Sequence, residues 1–158
     1  MSTKETFGRY LEDFSVGEVI AHWPGRTITE ADDILFCALT MNQHPLHSDR
    51  AYAAATQFGQ NIVAGPYVYS LVFGMTVSVV SGKAIANLAT TDMKHTGPVH
   101  HGDTLYARTQ VLELRESKSQ LDRGIVTVKT WGVNQDGEEI LEFQRAVLVP
   151  KRDGLARE

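Results

Sequence analysis

The order of apolar and polar positions divides the chain into a helical first half and a strand-rich second half. A short strand is predicted over 19–22. A helix is predicted over 29–40, because apolar residues recur there at helical spacing and Thr29, with Asp32 three residues later, forms a capping-box pair. A second short helix is predicted over 48–59, with its first residue, a serine, as the N-cap.

The most apolar stretch of the chain is predicted to form a buried central helix. It begins at the Gly65–Pro66 pair, where proline suits the first helical turn, and continues over 67–80. Its residues are apolar on nearly every side, so the helix is expected to be covered all round. It is shorter than the roughly 18 to 20 residues that a membrane-spanning helix requires.

The second half is predicted to form four long strands, over 84–95, 105–114, 125–133 and 140–149. An antiparallel sheet that curves around the central helix would bury it. The chain is therefore predicted to be an α+β protein with the hotdog arrangement, a curved antiparallel sheet wrapped around a central apolar helix. Because one sheet covers only part of the helix, pairing with further copies, as a homodimer or higher homo-oligomer, is expected.

Composition limits the classes of protein to be considered. The 158 residues, 42% of them hydrophobic and 22% charged, suit one domain spanning 1–158. The net charge of −4 provides no electrostatic footprint for nucleic acid or an anionic membrane. The single cysteine, Cys37, cannot form an intrachain disulfide, and its apolar surroundings favour a core role over a nucleophilic one. Met1–Tyr10 lacks the apolar core of a signal peptide, so a cytoplasmic location is expected.

Two histidines, His44 and His47, lie three residues apart between the first two predicted helices. Histidine exchanges a proton near neutral pH, so either residue suits acid–base chemistry. The alternative is an exposed loop histidine, or one that bonds a neighbouring backbone group. A catalytic zinc normally takes three protein ligands, so this pair alone does not predict a metal site.

The start of the central helix is a second candidate site. Backbone amides are unpaired at a helix N-terminus and the dipole is positive there, so Gly65 is well placed to stabilise a developing oxyanion. The alternative is that Gly65 only permits a tight turn.

The segment Met41–Phe58, which begins with the sequence MNQHPLH, resembles the hydratase motif of the MaoC-like family, which includes the R-specific enoyl-CoA hydratases. That motif runs Gly-Asp-x-Asn-Pro-(aliphatic)-His, and its last three residues match in register. The resemblance implies that His47 activates a water molecule. The family's aspartate position holds Asn42 and its asparagine position holds His44. Since an amide cannot take up the proton, Asn42 is expected to orient the water through its carbonyl oxygen, with His47 as the base and His44 or a carboxylate from elsewhere assisting.

With these two replacements, the stretch Thr40–His47 resembles the mesaconyl-CoA hydratase-like (beta-methylmalyl-CoA dehydratase-like) branch of the family. Members of that branch carry a similar Thr-Met-Asn-x-His-Pro stretch. The resemblance covers roughly residues 8 to 152. It implies that Gly65 polarises the thioester. Since Pro66 has no amide hydrogen, Gly65 or Tyr67 is expected to supply the donor. The resemblance also implies that Ser70 contacts the catalytic residues, although helical serines commonly bond the preceding turn.

Together these features predict a hydratase/dehydratase that adds water reversibly, in syn fashion, to a short enoyl-CoA. The branch resemblance implies a branched or dicarboxylic acyl group of the mesaconyl or itaconyl type, and a beta-hydroxyacyl-CoA product. Coenzyme A enters as part of the substrate, and no metal or redox cofactor is expected. Two alternatives remain open: an acyl-CoA thioesterase, and a non-catalytic acyl-CoA-binding hotdog subunit, because Asn42 replaces the family aspartate.

Overall fold

A computed structural model describes residues 6–155, so the prediction for the first ten residues lies partly outside the described range. The strands are β1 (Val19–Thr27), β2 (Ala86–His95), β3 (Thr104–Glu116), β4 (Arg123–Val133) and β5 (Glu139–Pro150). The α-helices are α1 (Glu30–Thr40), α2 (Pro45–Ser48), α3 (Arg50–Ala54) and α4 (Gly65–Thr76), the last continued by a π-helical segment over Val77–Ser81. Short 3-10 helices cover Leu11–Asp13 and Arg152–Leu155.

The five strands form one antiparallel sheet in the order β1-β3-β4-β5-β2. Inward residues alternate with outward ones along β3, β4 and β5, as the sequence pattern predicted. The first strand is longer than predicted and extends to Thr27. Helix α4 packs on the inner face against β1 and β3, which confirms the α+β hotdog arrangement. None of the helices formed by residues 6–155 is long and apolar enough to cross a membrane.

Helix α4 begins at Gly65 with Pro66 in its first turn, as predicted. Its buried face consists of residues at four-residue spacing, Val68, Val72, Thr76 and Val80. The opposite face is exposed in the single chain and consists of small residues, Pro66, Ser70, Gly74 and Ser78. In one chain the sheet therefore covers one side of the helix, as expected, and the expectation that a second copy covers the rest stays a prediction.

The segment between α1 and α4 differs in part from the prediction. The capping box of Thr29 and Asp32 is present, and α1 ends at Thr40, as expected. The next helix is shorter than predicted, ends at Ala54 and is capped by the Asp49 side chain, which accepts a hydrogen bond from the Tyr52 amide. Ser48 does not cap this helix, because it is the last residue of the separate short helix α2. Pro45 is the first residue of α2, a position that suits proline.

A layer of polar side chains crosses the core and separates two apolar clusters, one on each side. His22 Nε2 lies 2.9 Å from Thr109 Oγ1, which lies 2.9 Å from Thr130 Oγ1. Arg145 is 1% exposed, donates to Thr76 Oγ1 at 2.7 Å and lies over the Phe73 ring. Burial, with the charge of Arg145, lowers the pKa of His22 to about 4, so His22 is neutral in the folded protein. Burial also lowers the pKa of Arg145 to about 10.

Candidate active site

The His47 turn is held in place by the segment that leads into α4. Met41, the residue that caps the C-terminus of α1, has a left-handed backbone with φ of 57°, and Pro45 then starts α2. The buried side chain of Asn61 donates hydrogen bonds to two backbone carbonyls around this turn, at 2.9 Å to Leu46 and 3.3 Å to Asp49. The turn that carries His47 is therefore fixed to the residues just before Gly65.

The imidazole of His47 has a defined tautomer. Its Nδ1 lies 2.8 Å from the carbonyl oxygen of Ile62, which can only accept a hydrogen bond. Nδ1 therefore carries the hydrogen in the neutral ring, and Nε2 keeps a lone pair. His47 is partly exposed, so this lone pair is available as a base to a molecule at the surface of the chain.

Asn42 and His44 have structural contacts that the sequence did not reveal. The side-chain oxygen of Asn42 accepts a hydrogen bond from the His44 amide at 3.3 Å. His44 Nδ1 accepts from the Leu46 amide at 3.2 Å and so caps α2. The ring centroids of His44 and His47 are 5.8 Å apart. The sequence-predicted residues Asn42, His44 and His47 thus lie together, and their roles towards a substrate remain predictions.

The backbone amides at the start of α4 differ in whether they are free to donate a hydrogen bond to a ligand. The Ala64 amide donates to Asp33 Oδ1 at 3.0 Å, and the Tyr67 amide donates to the Ala64 carbonyl at 2.9 Å. Pro66 has no amide hydrogen. Within residues 6–155, the Gly65 amide has no hydrogen-bond acceptor. It is therefore the donor left for a ligand at this positive helix terminus, which narrows the sequence-based choice between Gly65 and Tyr67.

The side chains of Tyr67 and Ser70 contact neighbours other than the residues of the His47 turn. The Tyr67 ring stacks on Phe36 with a centroid distance of 5.1 Å, and its partial burial raises the pKa of the phenol. The Ser70 hydroxyl is exposed and donates to the Pro66 carbonyl at 2.8 Å. This is the bond to the preceding turn that helical serines commonly form, and a contact of Ser70 with the catalytic residues remains a prediction.

Asp33 is a site residue that the sequence analysis missed. Its carboxylate is fully buried and bridges three elements: Oδ1 accepts from the Ala64 amide at 3.0 Å, and Oδ2 lies 2.9 Å from His101 Nε2. The buried Cys37 thiol lies 3.9 Å from Oδ1, and burial raises its pKa, which agrees with a core role. Asp33 therefore connects α1 to the residue that precedes Gly65.

His95, at the end of β2, was also missed. A Cβ atom added to Gly65 would lie 3.0 Å from His95 Nε2 and 3.1 Å from Cε1, so the imidazole lies directly against this glycine. A side chain at position 65 would press on the ring and displace it by a few tenths of an ångström. Partial burial lowers the pKa of His95 below its usual range.

Two open clefts flank the His47 turn. One, of about 360 Å³, lies beside α1 and is lined by Ile34, Cys37, Ala38, Met41, Asn42, Gln43 and Ser48. The other, of about 320 Å³, is lined by Glu30, Arg50, Gly59, Gln60, Asn61 and His101. Across residues 6–155, no group of three or more His, Cys, Asp or Glu side chains is arranged to hold a metal ion.

Comparison with known proteins gives consistent results. The family model described as mesaconyl-CoA hydratase matches residues 1–158. The mesaconyl-CoA hydratase of Cereibacter sphaeroides is 39% identical over 97% of this chain and 44% of its own length. The beta-methylmalyl-CoA dehydratase of Chloroflexus aurantiacus is 38% identical over 97% of this chain and 43% of its own.

A solved structure from Chloroflexus aurantiacus, described as a MaoC domain dehydratase, superimposes with a TM-score of 0.89 at 37% identity. It covers 98% of this chain, which corresponds to 44% of that protein. The chain thus spans less than half the length of these relatives. It belongs to the mesaconyl-CoA hydratase family, a branch of the MaoC-like hotdog proteins.

Proposed function

We propose that the protein is a hydratase/dehydratase that adds water reversibly to a short enoyl-CoA. The observation that carries this proposal is the His47 imidazole, whose Nδ1 is held by the Ile62 carbonyl and whose Nε2 is free to act as a base. The same segment leads directly to Gly65, whose free amide lies at a positive helix terminus. A base for water and a donor for the thioester oxygen are the two groups that this reaction needs.

In the proposed reaction His47 Nε2 takes a proton from water as the oxygen bonds to the β-carbon of the enoyl group. The electron pair of the carbon–carbon double bond moves towards the thioester, and negative charge develops on its oxygen. The Gly65 amide stabilises that charge. The proton on the His47 imidazolium then passes to the α-carbon on the same face, which gives the beta-hydroxyacyl-CoA and restores the neutral ring.

Asn42 has a positioning role in this proposal. Its side-chain oxygen accepts the His44 amide at 3.3 Å, and a carbonyl oxygen has a second lone pair that is able to accept from the water. Unlike a carboxylate, the amide does not take up the proton, so the proposal assigns the base to His47. The reaction uses acid–base groups alone, with no metal or redox cofactor, and coenzyme A is part of the substrate.

The acyl group that we propose is short and branched or dicarboxylic, of the mesaconyl or itaconyl type. Support comes from the names of the relatives, mesaconyl-CoA hydratase and beta-methylmalyl-CoA dehydratase, which match almost the whole of this chain. The relatives are more than twice as long, so this assignment requires a direct test on this chain.

We also propose that the chain functions as a homo-oligomer, most simply a dimer. The edge strand β2 is exposed along nearly its whole length, although it carries Leu88 and Met93, and one face of α4 is exposed as well. A second copy pairing along β2 would satisfy this open edge. Sedimentation equilibrium tests this directly. A cytoplasmic location also remains a proposal, supported by the free thiol of Cys37.

The experiment that tests the function offers mesaconyl-, itaconyl- and crotonyl-CoA to the purified protein. Loss of the conjugated enoyl absorbance, with formation of a beta-hydroxyacyl-CoA and no free thiol, is the expected result. Release of free coenzyme A would instead identify a thioesterase. Binding of the acyl-CoA without turnover would identify a non-catalytic subunit.

A further inference from the structure

The proposed oxyanion site has only one backbone donor. Of the residues around the start of α4, Ala64 already donates to Asp33, Pro66 cannot donate, and Tyr67 donates within the helix. A thioester oxygen that gains negative charge is better stabilised by two donors than by one, and sites of this type usually combine backbone amides with side-chain donors. A second donor, where the site has one, therefore comes from another element of the fold.

The fold brings His95 to this position. Segment 62–63 pairs antiparallel with 99–100, through the Ile62–His100 bridge and the bond from the Val63 amide to the Val99 carbonyl at 2.7 Å. This pairing holds the residues before α4 next to the segment that follows β2. Gly65, at the start of α4, therefore lies against His95 at the end of β2. The ring of His95 forms no hydrogen bond with any residue of the described range, so both of its nitrogens are available.

The distance between the two donors suits a single oxygen atom. His95 Nε2 lies 3.0 Å from the Cβ position of Gly65. The amide nitrogen of a residue lies about 2.5 Å from its Cβ, so Nε2 lies at most about 5.5 Å from the Gly65 nitrogen. Two N–H groups that each reach about 2.9 Å to an acceptor can share one oxygen when they are up to about 5.8 Å apart, so the distance permits a shared acceptor.

We propose that His95 is a catalytic residue, which donates a hydrogen bond from its ring to the thioester oxygen opposite the Gly65 amide. The inference rests on the proposed hydration reaction. The lowered pKa of His95 agrees with this role, because it favours the neutral ring, which still donates one hydrogen bond.

The test compares His95→Phe, which keeps an aromatic ring against Gly65 but has no donor, with His95→Gln, which restores an N–H group. Loss of one oxyanion donor lowers kcat by about 100-fold or more. We therefore expect the kcat of His95→Phe to be lower than that of the wild type by this factor, with little change in KM. His95→Gln is expected to recover part of the loss. Leu121→Phe, in the exposed loop between β3 and β4, is the control and should retain wild-type kcat.

A second measurement does not depend on turnover. Bound butyryl-CoA, labelled with carbon-13 at the carbonyl, is followed by isotope-edited infrared spectroscopy, and donors to the oxygen lower its stretching frequency. The wild type and His95→Gln should show a larger downward shift than His95→Phe.

Equal kcat and equal carbonyl shifts in wild type and His95→Phe would overturn the inference, even where hydration is observed. A wild type that hydrates no enoyl-CoA but shows a His95-dependent carbonyl shift would overturn the proposed function and support the donor role.

Discussion

The buried carboxylate of Asp33 offers the most informative perturbation of the fold around the site. In Asp33→Ala, the amide of Ala64 loses its acceptor, and His101 Nε2 loses its partner at 2.9 Å. Ala64 is completely buried and His101 largely so, so that water cannot easily replace the carboxylate. The substitution should therefore destabilise the protein and also release the residue next to Gly65.

The magnitude follows from the number of groups left unpaired. A buried donor without an acceptor costs about 1–3 kcal/mol, so two of them should lower the free energy of unfolding by about 4 kcal/mol. For a chain of this size each kcal/mol corresponds to about 3 °C, which gives a fall in Tm of about 12 °C. Asp33→Asn keeps an acceptor for the Ala64 amide and should lose about half as much.

Urea denaturation followed by circular dichroism measures these changes. Asp32→Ala is the matched control, because it removes the neighbouring carboxylate, which caps α1 in a more exposed position. It should cost only a fraction of the loss in Asp33→Ala. If the two variants unfold at the same urea concentration, the bridging role of Asp33 is refuted.

Three further predictions concern single residues. Gly65→Ala should lower kcat by at least about 10-fold because its methyl group presses on the His95 ring. Gly97→Ala, whose methyl group makes an ordinary contact with Ile140 Cγ2 at 3.8 Å, should keep wild-type kcat, and equal kcat values in the two variants would contradict this. Because the pKa of His22 is about 4 when folded and 6.5 when unfolded, the unfolded state takes up its proton first as pH falls. The free energy of unfolding should therefore drop by about 2 kcal/mol between pH 8 and pH 5, relative to His22→Gln in parallel urea titrations, and identical pH slopes would show that His22 is not a buried neutral residue. Asn42→Asp should change kcat by less than about 10-fold if Asn42 only orients water, and a larger change in the hydration assay would show that the amide has a chemical role.

The secondary structure was largely predictable because each element has a local signal. The Thr29–Asp32 capping box located the start of α1, and the Gly65–Pro66 pair located the start of α4. Alternating apolar residues gave the last three strands. Apart from the first strand, which is longer than predicted, the errors lay in the short helices near His47. Ser48 and Asp49 are both possible caps there, and only the tertiary contacts of the turn decide between them.

The site was predictable only where its residues are neighbours in sequence. Asn42, His44 and His47 fall within one turn, and the structure brings them together as expected. Asp33 and His101 are 68 positions apart, and His95 reaches Gly65 only through strand pairing. Neither contact has a periodic or motif signal in the sequence. A charged residue such as Asp33 on an amphipathic helix is ordinarily assigned to its exposed face.

The central claim is that His47 is the base of an enoyl-CoA hydratase. The most direct measurement is the hydration rate of mesaconyl-CoA, followed by loss of enoyl absorbance, for the wild type, His47→Gln and the control His100→Ala. The Gln side chain can still donate to the Ile62 carbonyl but cannot take up a proton, so we expect kcat to fall by at least about 100-fold with the fold intact. Wild-type activity in a folded His47→Gln variant would contradict the claim.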